Sequence, residues 1–100
     1  AVAISEDGEY LVAGTHDPEV HLFSKDSSTP IWSYTTGNAV ESIAISADGE
    51  YIVAGAQGSD DHKVYLFDKD NSTPLWSYDT GNSLMSVDIS EDGIEVAKKK

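Results

Sequence analysis

Three side chains with oxygen ligands stand at alternate positions after one apolar run, which is how a calcium-binding loop begins. They belong to Asp68, Asp70 and Ser72, and Ca²⁺ in proteins takes oxygen ligands. The continuation departs from that loop, because Thr73 stands where it needs glycine and Asp79 where it prefers a bidentate glutamate. We therefore predict an ordinary polar turn, with no metal site and no cofactor, and keep calcium as the alternative.

The chain has three imidazole groups that could act as general bases, at His16, His21 and His62. Nucleophilic catalysis needs such a base beside a serine or cysteine. None of the three has a serine or cysteine partner that recurs along the chain, and the chain contains no cysteine. We expect His16 and His62 in loops, His21 within a strand, no catalytic residues and no enzymatic activity.

Aromatic side chains recur at matching positions in the two halves of the chain. Such rings can stack on a sugar or pack one sheet against another. Recurrence at equivalent strand positions favours packing between repeat units. The residues predicted to pack in this way are Phe23, Trp32, Tyr34, Phe67, Trp76 and Tyr78.

The sequence segments that carry these side chains occur twice in the chain. Ala3–Tyr10 (AISEDGEY) returns as Ala44–Tyr51 (AISADGEY), and Ser28–Gly37 (STPIWSYTTG) returns as Ser72–Gly81 (STPLWSYDTG). A third copy starts at Ser86 with SVDISEDG. A repeat of roughly 40–45 residues is typical of propeller blades.

Each unit contains four short runs rich in β-branched and aromatic residues. In the second unit these are Val40–Ser46, Tyr51–Ala56, Val64–Phe67 and Leu75–Tyr78. The dipeptide Asp48-Gly49 supplies the positive φ of a tight hairpin turn. No sustained apolar period of 3.6 residues is present, so no helices are expected.

Several of these runs are apolar on both faces, as in Val64–Phe67. Such strands belong to a sheet that is covered on both sides, as each blade of a propeller is. We predict an all-β fold of two four-stranded antiparallel propeller blades plus the start of a third; a single β-sandwich is the alternative. The predicted units are residues 1–41, 42–85 and 86–100, the last a partial blade with a lysine tail.

The charge balance excludes some classes of partner. The 100 residues include 18 acidic and 6 basic side chains, for a net charge of −12. This charge repels phosphate backbones, so nucleic-acid binding is not expected. No run approaches the roughly 18 apolar residues of a membrane span. The acidic balance fits a high-salt source or a calcium-rich exterior, which favours an extracellular or cell-surface location without fixing it.

Two blades and part of a third do not close a ring, because a propeller has about four to eight blades. An end blade without a neighbour would expose a large apolar face. We expect the partners to be copies of the same chain or further blades of the same array, in a ring or a filament. One hypothesis is that Leu84–Ser90 completes or replaces the first strand of another copy.

Two stretches carry a family resemblance. Val64–Tyr78 (VYLFDKDNSTPLWSY) resembles the repeat of quinoprotein-like propellers, and Ser42–Gly55 (SIAISADGEYIVAG) resembles the Ser-x-Asp-Gly hairpin of WD-repeat propellers. The resemblance implies a propeller in which Trp32 and Trp76 dock blade against blade. The chain departs from both patterns, because Phe67-Asp68 replaces the Trp-Asp dipeptide and the cysteine pair of the quinone enzymes is absent.

Together these features predict a non-enzymatic propeller repeat module that self-associates or forms part of a longer propeller, and acts as a structural or interaction scaffold. The first alternative is a ligand-binding propeller, lectin-like or calcium-assisted. The second is an excerpt of a quinoprotein-like enzyme.

Overall fold

The computed structural model describes residues 1–57, 62–79, 86–89 and 96–99, and every regular element in them is a β-strand. The first sheet contains β1 (Val2–Ile4), β2 (Tyr10–Gly14), β3 (Glu19–Ser24) and β4 (Trp32–Thr35); the second contains β5 (Val40–Ile45), β6 (Tyr51–Gln57), β7 (His62–Asp68) and β8 (Trp76–Asp79); the third contains β9 (Ser86–Ile89) and β10 (Val96–Lys99).

The strands of each sheet follow one another in chain order, and each pairs antiparallel with the next. The predicted all-β architecture, two four-stranded blades and the start of a third, is confirmed, and no helix occurs in the described residues. None of these elements could serve as a membrane-spanning helix. The blade boundaries after residues 41 and 85 stay a prediction.

Strands β6 and β7 extend further than the apolar runs in the sequence indicated. His62, expected in a loop, is the first residue of β7, because the pairing with β6 continues as far as Gln57. That expectation was wrong for His62. Of the Leu84–Ser90 hypothesis, residues 84, 85 and 90 lie outside the described residues; β9 pairs with β10 and lies beside β5 and β6.

The turn between β1 and β2 is held by its own side chains. The Ser5 hydroxyl donates to Asp7 Oδ1 (2.6 Å), which also accepts from the backbone N–H of Glu9 (3.0 Å), and the N–H of Tyr10 donates to Ser5 Oγ (3.1 Å). Gly8 has φ 74°, a left-handed conformation that glycine adopts without steric cost. The Ser-x-Asp-Gly sequence therefore specifies this turn.

The equivalent turn of the second sheet is built in the same way. The Ser46 hydroxyl donates to Asp48 Oδ1 (2.8 Å), and Gly49 has φ 77°. The two turns are also joined directly, because the N–H of Glu6 donates to the carbonyl oxygen of Ala47 (3.1 Å). Neighbouring sheets therefore keep their turns at one edge.

The core lies between the first and second sheets. Val12 and Leu22 from one sheet and Ile52 and Phe67 from the other are fully buried. A second apolar cluster lies on the far face of the second sheet, so both faces of that sheet carry buried side chains. The two-sided apolar pattern read from the strands has this physical cause.

The first two sheets approach each other closely where β2 ends. A Cβ placed on the buried Gly14 would collide with Cγ1 of Val40 and lie 2.9 Å from its Cβ. The N–H of Val40 donates to the carbonyl oxygen of Thr15 at 3.0 Å. This position therefore requires glycine, because there is no room for a Cβ atom.

We predict that Gly14→Ala lowers the free energy of unfolding by about 1–3 kcal/mol, the usual cost of overpacking a core. Urea denaturation measures this change. The matched test is the Val40→Ala background, which removes the Cγ1 atom nearest to the added Cβ, while Cβ of residue 40 (2.9 Å) and Cγ1 of Ile43 (3.0 Å) remain. Gly14→Ala should therefore cost less there, without becoming neutral. An equal cost in both backgrounds would show that the Val40 side chain is not the obstacle.

The turn network also predicts a pH effect. The hydrogen bond from Ser5, followed by that from the backbone of Glu9, lowers the pKa of the Asp7 carboxyl in the folded state. Because the folded pKa lies below the unfolded value of about 3.9, the stabilisation is present above that value and is lost as the pH falls through the folded pKa. An NMR titration should give a higher Asp7 pKa in Ser5→Ala than in the wild type, and an unchanged midpoint would contradict the assigned cause.

Candidate functional site

The surface with the most developed chemistry is the aromatic contact between the first two sheets. Side chains two residues apart on a strand share a face, so Trp32 and Tyr34 of β4 point together, as do Tyr65 and Phe67 of β7. These four residues form what we call the inter-sheet seam.

The rings of the seam interlock in tilted and edge-on arrangements. Ring centroids of Trp32 and Phe67 lie 5.2 Å apart, those of Tyr34 and Phe67 lie 5.3 Å apart, and those of Tyr34 and Tyr65 lie 5.7 Å apart. Such pairs contribute about 0.5–1.5 kcal/mol each beyond their buried area. The seam therefore fixes both the distance and the register between the sheets.

Lys69 completes the seam, a role that sequence reasoning missed. The indole N–H of Trp32 donates to the Lys69 carbonyl oxygen at 2.8 Å, and the Lys69 ammonium lies 5.6 Å from the centre of the Tyr10 ring. The available signal was the indole itself, since a buried Trp N–H usually finds an acceptor. The turn after β7 thus supplies a polar anchor.

The six predicted packing residues are not all brought together. Trp32, Tyr34 and Phe67 meet in the seam, whereas Trp76 and Tyr78 lie on the far face of the second sheet, opposite Leu66 and Val64 in the register. Their side chains are 43% and 62% exposed. Phe23, half-buried, lies on the outer face of the first sheet, opposite Leu11.

The apolar residues on the two outer surfaces occupy the same repeat positions as residues that lie between the first and second sheets. Leu11, at 37% exposed, corresponds to the fully buried Ile52, and Trp76 corresponds to the half-buried Trp32. Val2 and Ile4 are also exposed on the first sheet. Residues at equivalent repeat positions therefore differ in exposure, and those between the first two sheets are the more buried.

The predicted metal candidates form a different group from the one expected. Carboxylate oxygens of Asp68 and Asp70 come within 4.8 Å of each other and of Glu50, which the sequence did not single out. Ser72 is half-buried in the same turn. Lys69 Nζ already lies 3.0 Å from Asp70 Oδ1 and 4.0 Å from Glu50 Oε2.

That lysine supplies the positive charge that the carboxylates attract. Its hydrogen bond to Asp70 raises the pKa of Lys69, so the ammonium form is favoured. Asp68 Oδ1 also accepts from the N–H of Asp70 at 3.0 Å, which is an ordinary turn contact. The geometry supports the predicted polar turn, and the absence of a metal stays a prediction.

The histidines lie apart from one another. His16 follows β2 and is exposed, with Nε2 3.5 Å from Glu41 Oε2. His62 begins β7, and its side chain lies outside the described residues. His21 lies within β3, as predicted.

His21 has a serine partner that sequence reasoning missed, because strand register and not spacing brings the two together. Nδ1 of His21 lies 2.7 Å from Oγ of Ser33, its cross-strand neighbour, and Nε2 lies 3.1 Å from Oε1 of Glu19. This line has the connectivity of a nucleophile, a base and an orienting acid. It lies on an exposed strand face beside Phe23.

The chain is similar to known proteins in part of its sequence and in its fold. A family model described as "WD domain, G-beta repeat" matches residues 28–68, which cover β4 to β7 and end at Phe67-Asp68, where the family's Trp-Asp dipeptide is expected. Among curated proteins no sequence matches.

Two solved structures have the same fold. The β-propeller domain of Cps50 (Swd1) from Myceliophteria thermophila matches with a TM-score of 0.78 and 18% identity, over 89% of this chain and 28% of that one. A chain of the mitotic checkpoint complex matches with a TM-score of 0.85 and 21% identity, over 98% of this chain and 30% of that one.

This chain therefore spans less than a third of either structure. The quinoprotein-like resemblance finds no support in these matches. The structures show a β-propeller fold, and together with the repeat match they support a propeller of the WD-repeat kind.

Proposed function

We propose that this chain is a non-enzymatic propeller module that acts as a protein-interaction scaffold, and that it does so by stacking blade faces with copies of itself or with further blades of a longer propeller. The observation that carries the proposal is the unequal exposure of matching residues. Trp32 is half-buried beneath the second sheet, whereas Trp76 is exposed.

The energetics favour covering the exposed surfaces. Apolar area removed from water contributes roughly 25 cal/mol per Å², and a contiguous apolar patch of more than a few hundred Å² is uncommon on a soluble monomer. Val2, Ile4 and Leu11 on one sheet and Trp76 and Tyr78 on the other are all exposed. Stacking on either surface is therefore expected to be favourable.

The similar structures are consistent with an interaction role, since one of them is part of a mitotic checkpoint complex. We further propose that the units run over residues 1–41, 42–85 and 86–100, the last an incomplete blade. Head-to-tail contacts of such units close into a ring or continue as a filament.

The seam predicts different costs for matching substitutions. Trp32→Ala should lower the free energy of unfolding by about 3 kcal/mol, since it removes packed rings and leaves the Lys69 carbonyl without its donor. Trp76→Ala, at an exposed position, should change it by about 0.5 kcal/mol in dilute solution. Thermal and urea unfolding of both variants test the pair, and equal costs would contradict the assigned role of the seam.

A gentler variant separates packing from the hydrogen bond. Trp32→Phe keeps an aromatic ring and removes the indole N–H, so we expect a loss of about 1 kcal/mol. Trp76→Phe is the control.

Self-association predicts a particle mass above the 10.7 kDa of one chain, rising with concentration in multi-angle light scattering. Leu11→Lys places a charge on the outer face of the first sheet and should lower the mass. Ser28→Lys makes the same charge change in an exposed turn and should leave the mass as in the wild type. A compact, cooperatively melting monomer at every concentration would reject self-association.

A further inference from the structure

We propose that Asn71 is an acceptor site for an N-linked oligosaccharide, transferred from a lipid-linked diphosphate donor. The site lies in the turn between β7 and β8, where Asn71-Ser72-Thr73 has the pattern Asn-x-Thr with a residue other than proline in the middle. That pattern is the acceptor signal for N-glycosylation. The other two asparagines of the chain, at positions 38 and 82, lack a serine or threonine two residues later.

The turn presents this asparagine to solvent. Asn71 and Thr73 are exposed, whereas Ser72 between them is half-buried. Oδ1 of Asn71 accepts the backbone N–H of Thr73 at 2.9 Å, and the N–H of Asn71 donates to the carbonyl oxygen of Asp68 at 3.1 Å. Because the side-chain amide is planar, its Nδ2 group lies on the side away from the Thr73 N–H. The reacting nitrogen and the threonine that marks the site are therefore held within one short turn.

The first unit shows that this position stays exposed when a neighbouring sheet is stacked beside it. Ser27 occupies the place of Asn71 in the repeat, and the second sheet packs on the first through the core and the seam. Ser27, Ser28 and Thr29 are nevertheless exposed. An oligosaccharide at Asn71 therefore projects from a turn and leaves the sheet faces free to stack, so this inference does not rest on the proposed function.

The two turns are built alike, which makes the first a matched control for the second. The N–H of Ser27 donates to the carbonyl oxygen of Ser24 at 3.3 Å, and the N–H of Thr29 donates to Oγ of Ser27 at 3.1 Å. The corresponding groups make the same two contacts around Asn71. The first unit thus has the turn and the threonine without the amide nitrogen.

The transfer exchanges one bond at the anomeric carbon of the sugar. Nδ2 of Asn71 forms a bond to that carbon, and the bond from the carbon to the diphosphate oxygen breaks. The diphosphate leaves on its lipid with the electron pair, and one of the two Nδ2 protons is released. The co-substrate is a polyprenyl-diphosphate oligosaccharide, and no oxidant or reductant takes part.

Pro74 limits how readily the turn is modified. It follows Thr73 directly and confines that residue to extended backbone, which leaves the segment less able to adapt to a transferase. We expect incomplete occupancy in the wild type, and about twofold higher occupancy in Pro74→Ala because the restriction is removed.

The test incubates the folded whole protein with a single-subunit oligosaccharyltransferase and its lipid-linked oligosaccharide, and follows the intact mass. We expect the wild type to gain the mass of one oligosaccharide and Asn71→Asp to gain none. That variant keeps an oxygen for the Thr73 N–H and lacks the nitrogen. Thr73→Val keeps the backbone donor and loses the hydroxyl, so it should lower the occupancy about tenfold or more.

Ser27→Asn transfers the acceptor signal to the first unit, because Ser28 and Thr29 already follow in an exposed turn. We expect this variant to gain a second oligosaccharide. Ser28→Asn is its control: it places the same amide one residue later, where Pro30 stands two positions on, and should gain none.

Two results would overturn the proposal. One is that neither the wild type nor Pro74→Ala gains mass while a synthetic Asn-x-Thr peptide is modified in the same reaction. The other is that Asn71→Asp gains as much mass as the wild type, which would place the sugar on another residue.

Discussion

The constraint on which the rest of the structure depends is that the two four-stranded sheets carry apolar side chains on both faces and need cover on both. Two stacked sheets satisfy it once, at the seam, where Trp32 meets Phe67 and donates to the Lys69 carbonyl. The buried Gly14 belongs to the same constraint, because the sheets approach at Val40 too closely for a side chain. The outer surfaces of the described sheets are left with their aromatic and aliphatic side chains exposed. The side chains that this chain can offer to a partner are therefore mainly the apolar ones on its outer sheet faces.

Much of the fold could be predicted from the sequence because the signals are local. The Ser-x-Asp-Gly turns are fixed by contacts within a few residues, as at Ser5 and Asp7, and the repeat itself indicates how many strands share one sheet. Strand ends were harder, since β7 begins at His62 through pairing with β6 and not through any apolar signal of its own. The contact between His21 and Ser33 was also missed, because it depends on the register between two strands and not on spacing along the sequence.

The candidate site was predictable by residue type and less so by position. Three of the four seam residues were among the six predicted packing residues, and Tyr65 was missed because its repeat position holds His21. The equal sequence of the two units also gave no way to know that Trp32 would be covered and Trp76 exposed. That difference comes from neighbouring sheets, which a residue's own sequence context does not encode. In the acidic turn, position was again the harder part, because Glu50 from another turn joins Asp68 and Asp70. Lys69 pairs with Asp70 and Glu50 and offsets part of the charge of the three carboxylates.

The hydrogen bond from Glu6 to Ala47 joins one hairpin tip to the next. Each of the two tips is also braced by its own serine–aspartate hydrogen bond. The first two sheets are therefore joined by backbone atoms at this edge as well as by side chains at the seam, so a substitution in the seam leaves one of the two connections in place.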